Sequence, residues 1–154
     1  MAKRKANTKP FWRMTFLIYV GIMIWLLFFR SRSVAEGLSF QEALKVNTNL
    51  TPFYTIDNYI HVIFRQKNSP YFRQCVTELF GNILLFIPAG WLLPKIFPTM
   101  RRFFPFLAVC IGVILSVETL QLVTLLGRLD VDDIILNITG MVMGYILYIL
   151  THKK

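Results

Sequence analysis

A chain of 154 residues that is 55% hydrophobic and only 16% charged is not patterned as a soluble domain, in which about a quarter of residues carry charge. Its net charge of +9 would suit nucleic acid, yet the basic residues sit in short segments flanking apolar runs. That is the pattern of topology signals and lipid head-group contacts, so a bilayer is the expected partner and nucleic acid is not.

The length allows about four spans and no separate soluble domain, so residues 1–154 are read as one membrane domain. Residues 1–10 are basic and polar, with Lys3, Arg4, Lys5 and Lys9, and Arg13 follows. The apolar run 14–29 comes next. It has the flavour of a signal peptide, since Ser33-Val34-Ala35 looks like a cleavage site. Arg30 and Arg32 directly after the run, with Trp12 and Trp25 as anchors, favour a retained first span.

The connection 30–76 is the one long loop. Ser39-Phe40-Gln41-Glu42 matches a capping box and predicts a short helix. Asn49-Leu50-Thr51-Pro52-Phe53 reads as a turn or extended piece. Asp57 is then expected to cap a helix running to about Gln66, with Ile56, Tyr59, Ile60, Ile63 and Phe64 on one apolar face. Asn68-Ser69-Pro70 ends it.

Residues 78–97 form the second predicted span, interrupted by Pro88 and closed by Pro94 and Pro98. The third is 103–126 and the fourth 133–151, where Gly140 and Gly144 make a GxxxG pattern that permits close backbone approach. The fold class expected is therefore all-α and membrane-integral: four transmembrane helices plus short amphipathic helices in the first outer loop. Cys75 and Cys110 fall at different depths and predict two unpaired thiols. His61 and His152 are isolated and carry no metal pattern.

Charge sets the expected orientation. The N-terminus, the turn with Lys95, Arg101 and Arg102, and the tail with Lys153 and Lys154 share one side of a four-span chain, the cytoplasm. Both termini are expected inside. The acidic loop 127–132 and the long loop are expected outside.

Polar residues then converge on the outer layer. Glu78 and Asn82 are four apart at the start of the second span. Glu118 and Gln121 lie about 7–12 Å from the outer end of the third, at 1.5 Å per residue. Asp133 and Asn137 occupy the first turns of the fourth, on the side that carries Gly140 and Gly144. The expected result is an outward-opening polar pocket roofed by the helix around Tyr59–Phe64. Plainer roles stand beside this one. Asp132 or Asp133 would cap the fourth helix. Arg128 would pair with Asp130 or Asp132. Asn82, Gln121 and Asn137 would be interhelical glue. Glu118 is the hardest to dismiss, because a charge at span depth costs about 2.5–3.5 kcal/mol unless it is neutralised, paired or wet.

These residues carry a resemblance. Asn49 to Phe53, the run Glu78-Leu79-Phe80-Gly81-Asn82 through Pro88 and Gly90, Glu118 with Gln121, and Arg128 through Asp132-Asp133 to Asn137 and Gly140 together resemble the VanZ-like family of bacterial membrane proteins. Ala89, where many relatives have a bulkier residue, is a small departure. The resemblance covers nearly the whole chain. It implies a four-helix core in the plasma membrane, a link to teicoplanin-type glycopeptide resistance, and action on lipid-linked envelope intermediates.

Three functions are open on these residues. In an intramembrane enzyme, Glu118 and Asp133 would be catalytic, with Glu118 as general acid or base. Asp132 and Asp133 would hold a divalent cation such as Mg²⁺ or position the head group. Arg128 would take phosphate, and Glu78, Asn82, Gln121 and Asn137 would orient the substrate, a lipid-linked cell-wall precursor or phospholipid head group. A binding or shielding protein would hold the same group without chemistry. A small transporter or assembly factor is the third reading, and a transport path is disfavoured because the inner half has almost no polar residues. No P-loop, dinucleotide or haem motif is present. The oligomeric state is left open.

Overall fold

The structure, a computed structural model, describes residues 9–29 and 37–152. The basic residues Lys3, Arg4, Lys5, Arg30, Arg32, Lys153 and Lys154, and the Ser33-Val34-Ala35 stretch, lie outside the described residues. Among the described residues, six α-helices and two very short strands follow one another: α1 (Lys9–Phe29), α2 (Phe40–Val46), β1 (Thr48–Asn49), α3 (Tyr54–Arg65), α4 (Phe72–Ile96), α5 (Phe103–Val123), β2 (Leu129–Asp130) and α6 (Val131–His152). A 3-10 turn, Pro98–Arg101, joins α4 to α5.

Four of these helices, α1, α4, α5 and α6, are long and apolar enough to cross a bilayer, as expected. Their boundaries shift. α1 begins at Lys9 rather than 14, and α4 at Phe72 rather than 78, so Glu78 lies in its second turn. α5 stops at Val123, short of 126, because the chain turns there with Leu125 in the left-handed region at φ 54°. Large apolar side chains such as Phe11, Leu17, Ile18, Leu84, Phe104 and Leu150 remain exposed along these helices, as lipid-facing positions do.

The helices alternate in direction, and cross-contacts show which ends meet. Near the start of α1, the Trp12 ring packs edge-on against Trp91, 5.3 Å between centroids. Lys95 Nζ lies over both rings, at 3.8 and 3.1 Å. Trp91 Nε1 donates to Thr151 Oγ1 near the end of α6, 3.3 Å. The start of α1 and the end of α6 thus share the end of the bundle that holds the Lys95–Arg102 turn. Prolines leave carbonyls without helical donors, and neighbours answer them. Pro98 frees the Pro94 carbonyl, which accepts from Arg101 Nε at 3.3 Å. Tyr19 Oη donates to the Leu85 carbonyl, the one next to the Leu84 carbonyl that Pro88 frees, at 2.8 Å.

The core gathers Met23 of α1, Phe86 and Ala89 of α4, Phe106, Cys110 and Ile114 of α5, and Met141 and Tyr145 of α6. Cys75 and Cys110 are both buried free thiols, as read from the sequence. Close packing of α4 against α6 depends on glycine. A Cβ on Gly140 would overlap the Ile83 carbonyl oxygen, and one on Gly144 the Ile87 carbonyl oxygen, while Gly90 answers from α4 against the Met141 carbonyl. The GxxxG pattern is therefore used within the chain.

The long loop is built as predicted at α2. Ser39 and Glu42 form the reciprocal capping box, with Ser39 N donating to Glu42 Oε2 at 3.0 Å. The Ser39 hydroxyl and amide hold the Glu42 carboxyl below its ordinary range. α3 corrects the sequence reading. It starts at Tyr54, three residues before Asp57, after Phe53 at φ 64°. Asp57 lies in its first turn and is not its cap. The small parallel pairing of Thr48 with Leu129 and Asn49 with Asp130 was also not foreseen.

Candidate functional site

The junction between the long loop and the acidic turn is held by a network of hydrogen bonds around Asp130 and Asp132, although the side chain of the fully buried Asn47, whose carbonyl accepts the Leu129 amide at 2.8 Å, has no partner among the described residues. Asp132, fully buried, accepts the backbone amides of Phe53 (2.6 Å), Thr55 (2.8 Å) and Ile56 (3.0 Å). It caps α3 from across the fold, which is why no local cap is needed there. Asp130 accepts the Asp132 amide at 3.0 Å, capping α6, and the Thr55 hydroxyl at 2.7 Å. Asn49 Nδ2 reaches the Asp130 oxygens at 3.3 Å and Thr55 Oγ1 at 2.9 Å. Capping of α6 was expected from Asp132 or Asp133; it comes from Asp130, two positions before Asp132. Asp130 and Asp132 draw their partners from Asn49, Thr55 and α3 rather than from Arg128.

Beside this junction is a cavity of about 420 Å³. Seven of the eight residues singled out from the sequence, Glu78, Asn82, Glu118, Gln121, Arg128, Asp133 and Asn137, line it. Asp132 does not, so the pairing of Asp132 with Asp133 as cation ligands is not what the geometry offers. Among the described residues no three His, Cys, Asp or Glu side chains group as a metal site.

Each helix supplies its part by register. On α4, Gln74, Glu78 and Asn82 repeat every four residues, and Thr77, Gly81 and Leu85 fill the adjoining row. Gln74 and Thr77 were missed. They extend the Glu78–Asn82 stripe by one turn, a signal hidden by starting the span too late. On α6, Asp133 and Asn137 are one turn apart, and Asn82 Nδ2 donates to Asp133 Oδ1 at 2.6 Å. On α5, Glu118 is 4% exposed and Gln121 6%. α1 adds Leu26 and Leu27.

The polar groups differ in how far they are committed. Gln121 Nε2 donates to the Leu27 carbonyl, 2.8 Å, one of the last carbonyls of α1. The Gln121 carbonyl accepts the amides of Leu126 (3.1 Å) and Gly127 (3.2 Å), which folds the turn and sets Arg128 at the rim. Gln121 thus combines a structural bond with a lining position. Glu118 Oε2 and Asn137 Oδ1, by contrast, are buried without any hydrogen-bond partner. Glu118 lies within electrostatic reach of Asp133 and Asp130. Asp133 lies within reach of Asp130, Glu78 and Arg128. Arg128 is exposed.

None of the lining residues comes from α3. The helix borders the site instead. The half-buried Tyr59 senses Asp133, Glu78, Arg128 and Asp130, and burial, followed by the Asp133 charge, pushes its phenol well above the ordinary range.

Comparison with known proteins identifies the family. No solved structure matches the chain. Protein VanZ of Enterococcus faecium is 27% identical over 137 residues, covering 88% of this chain and 72% of that protein. The VanZ/LLP1 family model matches residues 16–152, from within α1 to the end of α6, and so spans every cavity-lining residue. The chain belongs to the VanZ/LLP1 family.

Proposed function

We propose that this protein binds the head group of a lipid-linked cell-wall precursor, or of a related envelope lipid, in the cavity between α1, α4, α5 and α6. One observation carries this reading: seven separately chosen polar residues on three membrane helices and one turn line a single cavity of about 420 Å³. Polar groups at span depth are costly unless they serve a ligand, water or one another. The basic turn at the opposite end supports an orientation with both termini in the cytoplasm and the cavity facing outward, where exported precursors sit. Membership of the VanZ/LLP1 family extends the reading to glycopeptide resistance, of the teicoplanin type that the family resemblance implies. Arg128 at the rim suits phosphate. Mg²⁺ would arrive with the phosphate, since Asp132 is committed to the α3 amides.

A second reading, chemistry on the bound head group, is favoured by the unpartnered Glu118 oxygen, with Asp133 beside it as a second acid–base group. The test reconstitutes the purified protein in nanodiscs with a lipid-linked peptidoglycan precursor and Mg²⁺. Binding and lipid masses are followed for wild type and Glu118→Gln. Saturable binding supports the proposal, and a new product made only by the wild type adds catalysis. Neither binding nor product overturns both readings.

A further inference from the structure

Two of the cavity's groups are buried acceptors without a donor, while its free donors include Arg128 and the side-chain amide of Gln74. Glu118 Oε2 and Asn137 Oδ1 are each on residues at least nine-tenths buried, at 4% and 3% exposure, and neither has a donor. A buried acceptor without a partner is destabilising, so two in one cavity call for a donor that arrives from outside. Around them stand the carboxyl groups of Asp133 and Glu78, against Arg128 as the one cation lining the cavity among the described residues. Among the described residues the wall carries no aromatic side chain, only Leu26, Leu27 and Leu85 as large apolar residues. A quaternary ammonium, which has no N–H and is recognised by aromatic faces, therefore finds nothing here. An anion is repelled from the same floor.

We infer that the cavity is built for a primary ammonium group carried on an envelope lipid, seated among Glu118, Asn137 and Asp133 while Arg128 takes the accompanying phosphate. The ammonium offers three N–H donors and no acceptor, which complements a floor of acceptors. A metal ion fits the donor set less well, because no three acidic, His or Cys side chains cluster among the described residues. This inference rests on the head-group reading above and narrows it. Two lipids carry the chemistry: a precursor with a free side-chain amine in its stem peptide, and phosphatidylethanolamine.

The test uses the full chain in phosphatidylglycerol nanodiscs, which present no amine. Four probes are titrated: the precursor with its stem amine free, the same precursor N-acetylated, dihexanoyl-phosphatidylethanolamine and dihexanoyl-phosphatidylcholine. Acetylation is expected to weaken precursor binding about tenfold or more, the worth of one charge-assisted contact. Glu118→Gln and Asn137→Leu should each shrink that discrimination, while Arg128→Gln should weaken both precursor forms alike. Equal binding of free and acetylated precursor overturns the ammonium inference and leaves the head-group reading standing. Ethanolamine preferred over choline, with no precursor bound, keeps the ammonium inference and overturns the precursor as its source. No binding by any probe overturns both. The wild type alone decides among these outcomes, so a variant that fails to fold does not rescue the inference.

Discussion

Asp132 and Glu118 are almost equally hidden, at 0% and 4% exposure, but their oxygens keep opposite company. Asp132 holds three backbone amides, and its carboxylate and that of Asp130, with Asn49 and Thr55, are matched to donors, while the neighbouring Asn47 side chain is buried without a partner among the described residues. Glu118 leaves one buried oxygen with nothing, as does Asn137 across the cavity. A matched buried network is what a fold uses to fix a single arrangement. An unmatched one is stabilised only by what comes to fill it. The two carboxylates of one helix start, Asp132 and Asp133, thus divide: one faces the junction and its neighbour faces the cavity.

Substitution at the junction should show the largest effect. Asp132→Ala strands three α3 amides in a buried place and is expected to cost about 3–5 kcal/mol. Asp132→Asn should also be damaging, because whichever way its amide turns, the nitrogen faces at least one backbone N–H, that of Phe53 when the oxygen keeps Thr55 and Ile56. Thermal unfolding in nanodiscs, with hydrogen exchange on α3, measures this. A midpoint within error of wild type would break the comparison at its root.

Gly140→Ala comes next. It drives a methyl into the Ile83 carbonyl and forces α6 from α4, at an expected cost of about 1–3 kcal/mol for overpacking. Because this contact positions Asn82 against Asp133, ligand binding should fall along with stability, unlike the loss at Asp132, which acts through the loop.

Much of this was legible beforehand, for a physical reason. The four spans follow from apolar length, and the cavity follows from helical register: on rigid helices, residues three or four apart must share a face, so the outer-layer stripes had to meet. The capping box at Ser39 is equally local. What was not legible depends on contacts remote in sequence. The start of α3 is set by Asp132, 79 positions from the Phe53 amide it accepts. The same remoteness moved Asp132 out of the predicted site, since two adjacent aspartates at a helix start give no local hint of which way each points. Gln74 and Thr77 were lost because α4 extends beyond its hydrophobic stretch.

Thr55→Val is a milder probe of the junction. It removes the hydroxyl that donates to Asp130 and accepts from Asn49, for an expected loss of about 1–2 kcal/mol. Glu42 adds a pH-dependent test away from the cavity. Its folded pKa is lowered by Ser39, so its contribution is present above the unfolded carboxylate value and fades as pH falls through the lowered one. Protection of the α2 amides from hydrogen exchange should therefore weaken in acid, and Glu42→Ala should remove that pH dependence.

The smallest change in stability is expected from Glu118→Gln, and that is its value. The same isosteric exchange that ruins Asp132 here removes a carboxyl that has an unpartnered oxygen and stands near other acids. A neutral amide is less costly to bury than a carboxylate. The unfolding midpoint should stay or rise, while head-group binding falls. A clear drop in midpoint would show that Glu118 belongs with Asp132 among the residues that hold the fold. The division between saturated junction carboxylates and a hungry cavity would then have to be redrawn around Asn137 and Asp133.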